Sequence, residues 1–289
     1  MSAAPGLLAI HAHPDDEVIG TGGVLARAAA EGRRVKVLTC TDGKRGEIVG
    51  EGMDEEEIRP RLAEVRAEEI ANALSILEGP GSIEHEFLGY ADSDMMGRDG
   101  NYDPANFWQA DMHEAVGKVV RVIREFRPSV VVTYDAFGGY GHPDHIQAHR
   151  VTVLACEAAG MKVMYPEAGA PWRTPKLYLT AFPKSRIAEA NQMFIDRGLP
   201  SPFGEYTDPD EIPMGTPDDL ITTRVDVTPH IEVKRDALHA HVSQIAPDSF
   251  FMNVPDDMME GFYGHESFVR RWSEVGTPDG VEDDLFAGL

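Results

Sequence analysis

The sequence predicts an α/β fold, a Rossmann-like three-layer sandwich with a mostly parallel sheet and its functional site at the carboxyl ends of the strands. Three observations carry this. Short apolar segments rich in β-branched residues alternate with longer segments of helical period. The first apolar segment runs straight into a proline-containing turn, as buried parallel strands do. Histidines and carboxylates crowd the turns after the first and fourth of the main apolar segments, the place where open α/β sheets bind ligands.

Taken in order, Leu7 to His11 is the first strand, and Glu17 to Glu31 is a helix closed by Gly32. Arg34 to Thr41 (RVKVLTCT) is a second strand. After the loop DGKRGEIVGEGM, the stretch Asp54 to Leu77 reads as one long helix. Its acidic run Asp54 to Glu57 suits a first turn, Ile58, Leu62, Val65, Ile70, Leu74 and Leu77 fall near helical spacing, and Gly79-Pro80 is a stop. A short strand near Glu86 to Leu88, a polar loop to about Trp108, a helix from Gln109 to Phe126 and the strand Ser129 to Tyr134 continue the alternation. The turns after His11, Thr41, Leu88 and Tyr134 are therefore expected to converge on one crevice. Past Gly160, Lys176 to Ala181 and Thr223 to Val227 read as strands and His230 to Gln244 as a helix, separated by proline-rich loops. The expected organisation is a single domain over 1–289, with 1–160 as the α/β core and 161–289 as rim, cover and specificity elements.

Composition narrows the function. With 26 Lys and Arg against 49 Asp and Glu, the chain carries a net charge of −23, which repels nucleic-acid phosphates and anionic membranes. The 42% of hydrophobic residues suffices for a real core. No apolar run of membrane-spanning length and no basic export signal is present, and Cys40 and Cys156 sit in apolar surroundings like reduced, buried thiols. The expectation is a cytoplasmic protein acting on a small molecule, compatible with a homo-oligomer.

The first post-strand turn reads His11-Ala12-His13-Pro14-Asp15-Asp16-Glu17, and the turn after the fourth main strand reads Gly138-Gly139-Tyr140-Gly141-His142-Pro143-Asp144-His145. Catalytic zinc takes three ligands from histidine nitrogen and carboxylate oxygen and leaves a position open, and two histidines with one aspartate from these loops complete such a site; iron(II) accepts the same set. His13 and Asp16, three residues apart, can face one centre, while Asp15 points elsewhere, toward a reacting water. Taken singly, Asp15 or Asp16 is equally a helix cap, and His142 or His145 a hydrogen-bonded loop histidine. Two such turns, both at strand ends, favour the metal site. The glycines of Gly20-Thr21-Gly22-Gly23 come a turn too late for a dinucleotide loop and read as close helix packing.

AHPDDE at Ala12 to Glu17 and GGYGHPDH at Gly138 to His145 resemble the LmbE or PIG-L family of zinc-dependent N-deacetylases. The likeness extends through Thr41 to Glu47, Arg66, VVVTYD, WRTPKLY, HAHVSQ and EDDLFAGL, toward the branch holding N-acetylglucosaminyl-inositol deacetylases and mycothiol S-conjugate amidases. The resemblance implies His13, Asp16 and His145 as zinc ligands and Asp15 as general base. It implies His142 as the group that stabilises or protonates the tetrahedral intermediate, held by Asp144 and so favoured as imidazolium, with Tyr140 as a further hydrogen-bond donor. It also implies Arg66 and Asp92 as sugar-binding groups, with weaker pointers to Glu47 and His241. Read locally, Arg66 is also a surface helix residue pairing with Glu64 or Glu69, and Asp92 the organiser of its own turn. His149 is expected outside the ligand set. Ile19 stands where the amidase branch tends to carry lysine, which favours removal of an N-acetyl group from an N-acetylglucosamine-containing substrate, and Pro183 to Leu220 resembles neither branch closely.

Overall fold

A computed structural model describes residues 5–79, 81–198, 201, 204–276 and 279–289. Among these, β1 (Gly6–His11), β2 (Arg34–Thr41), β3 (Ile83–Tyr90), β4 (Val130–Thr133), β5 (Lys176–Ala181), β6 (Thr223–Asp226) and β7 (His265–Ser273) form one sheet in the order β3-β2-β1-β4-β5-β7-β6. The first five strands pair in parallel, and β7 runs antiparallel between β5 and β6. The apolar run Leu7 to Ile10 is wholly buried because β1 is covered on both faces.

On one face, Leu7, Ala9, Val35 and Val37 pack with the apolar stripes of α1 (Asp16–Ala30), α3 (Leu62–Glu78) and α8 (Ile231–His239). On the other, Leu8, Ile10, Leu38 and Val131 pack with α4 (Met112–Phe126) and α6 (Pro143–Ala159). The packing reading of the α1 glycines holds: a Cβ on Gly23 would meet Val227 at 2.6 Å.

Several expectations need correction. The predicted helix from Asp54 is interrupted: α2 (Glu55–Ile58), capped by the Asp54 carboxylate, gives way to a 3₁₀ turn at Arg59–Arg61 before α3 begins. Pro60 lacks the amide hydrogen that a continuous helix requires. The stop at Gly79-Pro80 is met at Gly79, with positive φ, while Pro80 lies outside the described residues. The helix expected to run to Gln244 ends at His239, because His241 and Ser243 turn inward to bond Glu17 and Glu69. Residues 161–289 are also more than rim, since they supply β5, β6, β7 and α7 (Lys184–Asp196). β7, with charged and polar residues along its length, was not foreseen.

The strand order reverses direction between β1 and β4, and the loops after these two neighbours open the crevice that such a switch point creates.

Candidate active site

The crevice holds a cavity of about 680 Å³ lined by loops following β1, β2, β3 and β4, the convergence expected from sequence. His13, Asp15, Asp16, Arg66, Asp92, Tyr140, His142, His145 and Glu47 all line it. Asp144, His149 and His241 do not.

Three donor atoms form a nearly equilateral triangle. His13 Nδ1 lies 3.2 Å from His145 Nε2, and Asp16 Oδ2 lies 3.3 Å from each. Four ligands about 2.0 Å from a tetrahedral zinc stand about 3.3 Å apart, so the triangle has the dimensions of one face of a zinc tetrahedron. The tautomers agree. The Gly138 carbonyl can only accept, so His145 donates to it through Nδ1 (3.1 Å) and keeps the Nε2 lone pair free. Gly138 must be glycine here: its φ is 68°, and a Cβ would meet the His145 Cβ at 2.5 Å. His13 donates through Nε2 to Asp144 Oδ2 at 3.2 Å, leaving Nδ1 for the triangle. Tyr134 stacks on His145 at 4.2 Å and donates its hydroxyl to Asp16 Oδ2 at 2.8 Å, fixing two of the three donors.

Electrostatics favour a cation. Burial alone would depress His13, but hydrogen bonds from its ring to Asp144 and Asp16 outweigh it and hold the imidazole well above the usual histidine value. Burial likewise opposes ionisation of Asp16, yet the charges and hydrogen bonds of His145 and His13 keep it well below the ordinary carboxylate range. His13, Asp92, His142 and Asp144 form an overlapping cluster of donors, but two of its atoms are committed, Asp144 Oδ2 to the Ser93 amide and Asp92 Oδ1 to the Asp94 amide.

Asp15 begins α1 without capping it: its side chain bonds no helix amide, and its backbone sits at φ 131°, ψ −33°. A non-glycine residue held there stores strain on the order of 1–3 kcal/mol, the kind that persists at functional sites. The carboxylate accepts from Arg66 Nη2 at 3.1 Å. Burial outweighs that cation, and with Asp16 close by Asp15 is pushed up to about 6.

Arg66 is neither a surface residue nor paired with Glu64 or Glu69. It is 2% exposed and donates to the carbonyls of Gly43 (2.7 Å) and Pro14 (2.6 Å) as well as to Asp15. Asp92 uses its carboxylate on the amides of Asp94 and Arg45, so it organises its turn while facing the cavity. Tyr140, half-exposed, sets its ring edge to face against His145.

The pairing expected between Asp144 and His142 is not formed by side chains. The Asp144 carboxylate faces His13 and the amide and hydroxyl of Ser93, while only its backbone N–H donates to His142 Nδ1, at 3.1 Å. An acceptor Nδ1 carries no proton, so the neutral ring holds its hydrogen on Nε2. Burial, with His13 and His145 alongside, pushes His142 down to about 2. The expected imidazolium is therefore replaced by a neutral donor. His149 bonds the Tyr134 carbonyl at 2.8 Å, outside the donor triangle as expected. Sequence reasoning missed Tyr134 and Ser93; their only signal was position, one ending the fourth main strand and the other following Asp92.

A donor triangle in a cavity at the strand ends suits hydrolysis of the metal-dependent amide-cleaving kind. Residues 8–156 match the family model PIG-L, GlcNAc-PI de-N-acetylase, and the chain belongs to that family. It is 44% identical to a 1D-myo-inositol 2-acetamido-2-deoxy-alpha-D-glucopyranoside deacetylase of Catenulispora acidiphila, covering 100% of this chain and 90% of that protein. It is 41% identical to the deacetylase of the same name from Geodermatophilus obscurus, covering 100% and 99%. Among solved structures, N,N'-diacetylchitobiose deacetylase from Pyrococcus horikoshii superposes with TM-score 0.62 at 20% identity, over 92% of this chain and 84% of that one. A conserved protein from Thermus thermophilus superposes with TM-score 0.59 at 24% identity, over 95% and 98%. These two likenesses bear on the fold.

Proposed function

We propose that the protein hydrolyses the N-acetyl group of N-acetylglucosaminyl-inositol, with zinc as its cofactor. The observation that carries this reading is the donor triangle of His13, Asp16 and His145 in a cavity that Asp15 and a neutral His142 also line. Zinc on those three atoms supplies a Lewis acid that lowers the pKa of water and polarises the amide carbonyl; iron(II) suits the same donors.

The chain's own groups do the rest. Asp15, ionised above about pH 6, takes a proton from the attacking water, and Arg66 holds its carboxylate in place. His142 directs Nε2–H at the oxygen that becomes negative as the amide carbon turns tetrahedral, and a neutral donor needs no proton transfer to act there. Tyr140, whose hydroxyl is pushed far up by burial and so stays protonated, adds a second donor from the cavity wall. When the C–N bond breaks, the proton held by Asp15 passes to the departing sugar amine, and acetate is released.

The substrate reading rests on the full-length relatives and on Ile19, an apolar side chain in the cavity wall at the position where the amidase branch tends to carry lysine. Arg66 and Asp92 line the same cavity, and in this reading the sugar lies against them. No helix among the described residues is long and apolar enough to cross a membrane, and the buried, unpaired Cys40 and Cys156 suit a reducing cytoplasm.

The test is release of free amine from N-acetylglucosaminyl-inositol by protein as purified, after chelation, and after zinc is restored. Loss on chelation and recovery with zinc are expected; full activity in the chelated protein, or no amine at all, contradicts the reading.

A further inference from the structure

Behind the catalytic turn lies a buried pair that none of these roles uses. Glu17, in the first turn of α1, and His241, in the segment after α8, are both fully buried. Glu17 Oε1 accepts from His241 Nε2 at 2.8 Å, and Oε2 accepts from the Asp15 N–H at 2.9 Å. The carbonyl of that same Pro14–Asp15 peptide accepts from Arg66 Nη2 at 2.6 Å. One peptide group is thus clamped at both ends, its C=O by Arg66 and its N–H by Glu17. The orientation of that peptide plane sets φ of Asp15, the residue held at 131°.

His241 is itself held in place, because two residues further on the Ser243 amide and hydroxyl both bond Glu69 of α3, each at 2.7 Å. A carboxylate sunk in the core loses its hydration, and an apolar side chain would fill the same space at less cost. Its geometry shows what it does instead.

We infer that Glu17, braced by His241, is a positioning residue that pins the Pro14–Asp15 peptide and so aims the Asp15 carboxylate at the reacting water. The inference deepens the reading of Asp15 as general base and rests on it. Arg66 alone cannot set the plane, since it holds only the carbonyl end and also follows the Asp15 side chain.

The test compares Glu17→Met, which fills the volume without an acceptor, with Glu17→Gln, which keeps one oxygen for the Asp15 amide and offers an N–H to a neutral His241. E17M is expected to lose about 10²-fold in kcat, with KM and bound zinc unchanged, as a misaimed catalytic group does. E17Q is expected to recover most of that loss. In a crystal structure of E17M, Asp15 should relax to negative φ. Wild-type kcat in E17M, an unchanged Asp15 φ, or an E17Q as slow as E17M overturns the inference. If E17M does not fold, His241→Leu, which frees Glu17 to leave the amide, carries the same expectations for kcat, KM, zinc and φ. Should the wild-type protein release no amine, the deacetylase reading fails, and the φ of Asp15 in the variant decides the positioning role by itself.

Discussion

Asp144 Oδ2 stands 3.2 Å from His13 Nε2, which makes this fully buried carboxylate the partner of His13, a donor of the proposed metal triangle, instead of His142. Ser93 holds it from behind through its amide and its hydroxyl. Carboxylates that orient a ligating histidine are worth about 10- to 100-fold in metal affinity. Asp144→Asn should therefore weaken zinc binding by about that factor, measured by competition with a chromogenic chelator, while kcat at saturating zinc falls less. A variant with wild-type zinc affinity and a collapsed kcat would return Asp144 to the His142 side.

Asp15 is expected to govern the acid limb of the pH-rate profile. A base works only when ionised, and burial with Asp16 nearby pushes this carboxyl up to about 6, so kcat/KM should fall as pH drops through that region. Arg66 opposes the shift, so Arg66→Met should move the limb to higher pH. Asp15→Asn should keep its zinc and lose about 10²- to 10⁴-fold in kcat. A limb that stays in place in R66M would show that another group sets it.

His142 is expected to act without titrating. Its ring, pushed down to about 2 by burial and its histidine neighbours, stays neutral throughout the working range. His142→Ala should spare the zinc and cost about 10²- to 10³-fold in kcat, the size of a lost oxyanion donor. The alkaline limb should remain where it is. Its disappearance in the variant would restore the imidazolium reading.

Much of this was legible in the sequence because both motifs sit at strand ends, where local chain geometry already brings His13 near Asp16 and sequence context places His145 in the facing loop. The parallel half of the sheet was legible for the same reason: the segments at Leu7 and Val130 are apolar runs suited to two-sided burial, and the one at Arg34 is rich in β-branched residues. What escaped notice was long-range. Glu266 lies on β7 but spends its carboxylate on the amides of Gly23 and Val24 and on Lys234, so its strand reads as polar. Tyr134 reaches back to Ala12 and Asp16, and His241 to Glu17, across more than a hundred residues that no periodicity connects. The pairing of Asp144 with His142 was what the family resemblance implied, whereas α6 turns the carboxylate toward His13.

The most direct test of the account is kcat/KM of the zinc-loaded protein on N-acetylglucosaminyl-inositol, free N-acetylglucosamine and a mycothiol S-conjugate, measured side by side. The account predicts the highest value for N-acetylglucosaminyl-inositol, the compound after which the full-length relatives are named. A clear preference for the conjugate, or hydrolysis of none of the three, would contradict it.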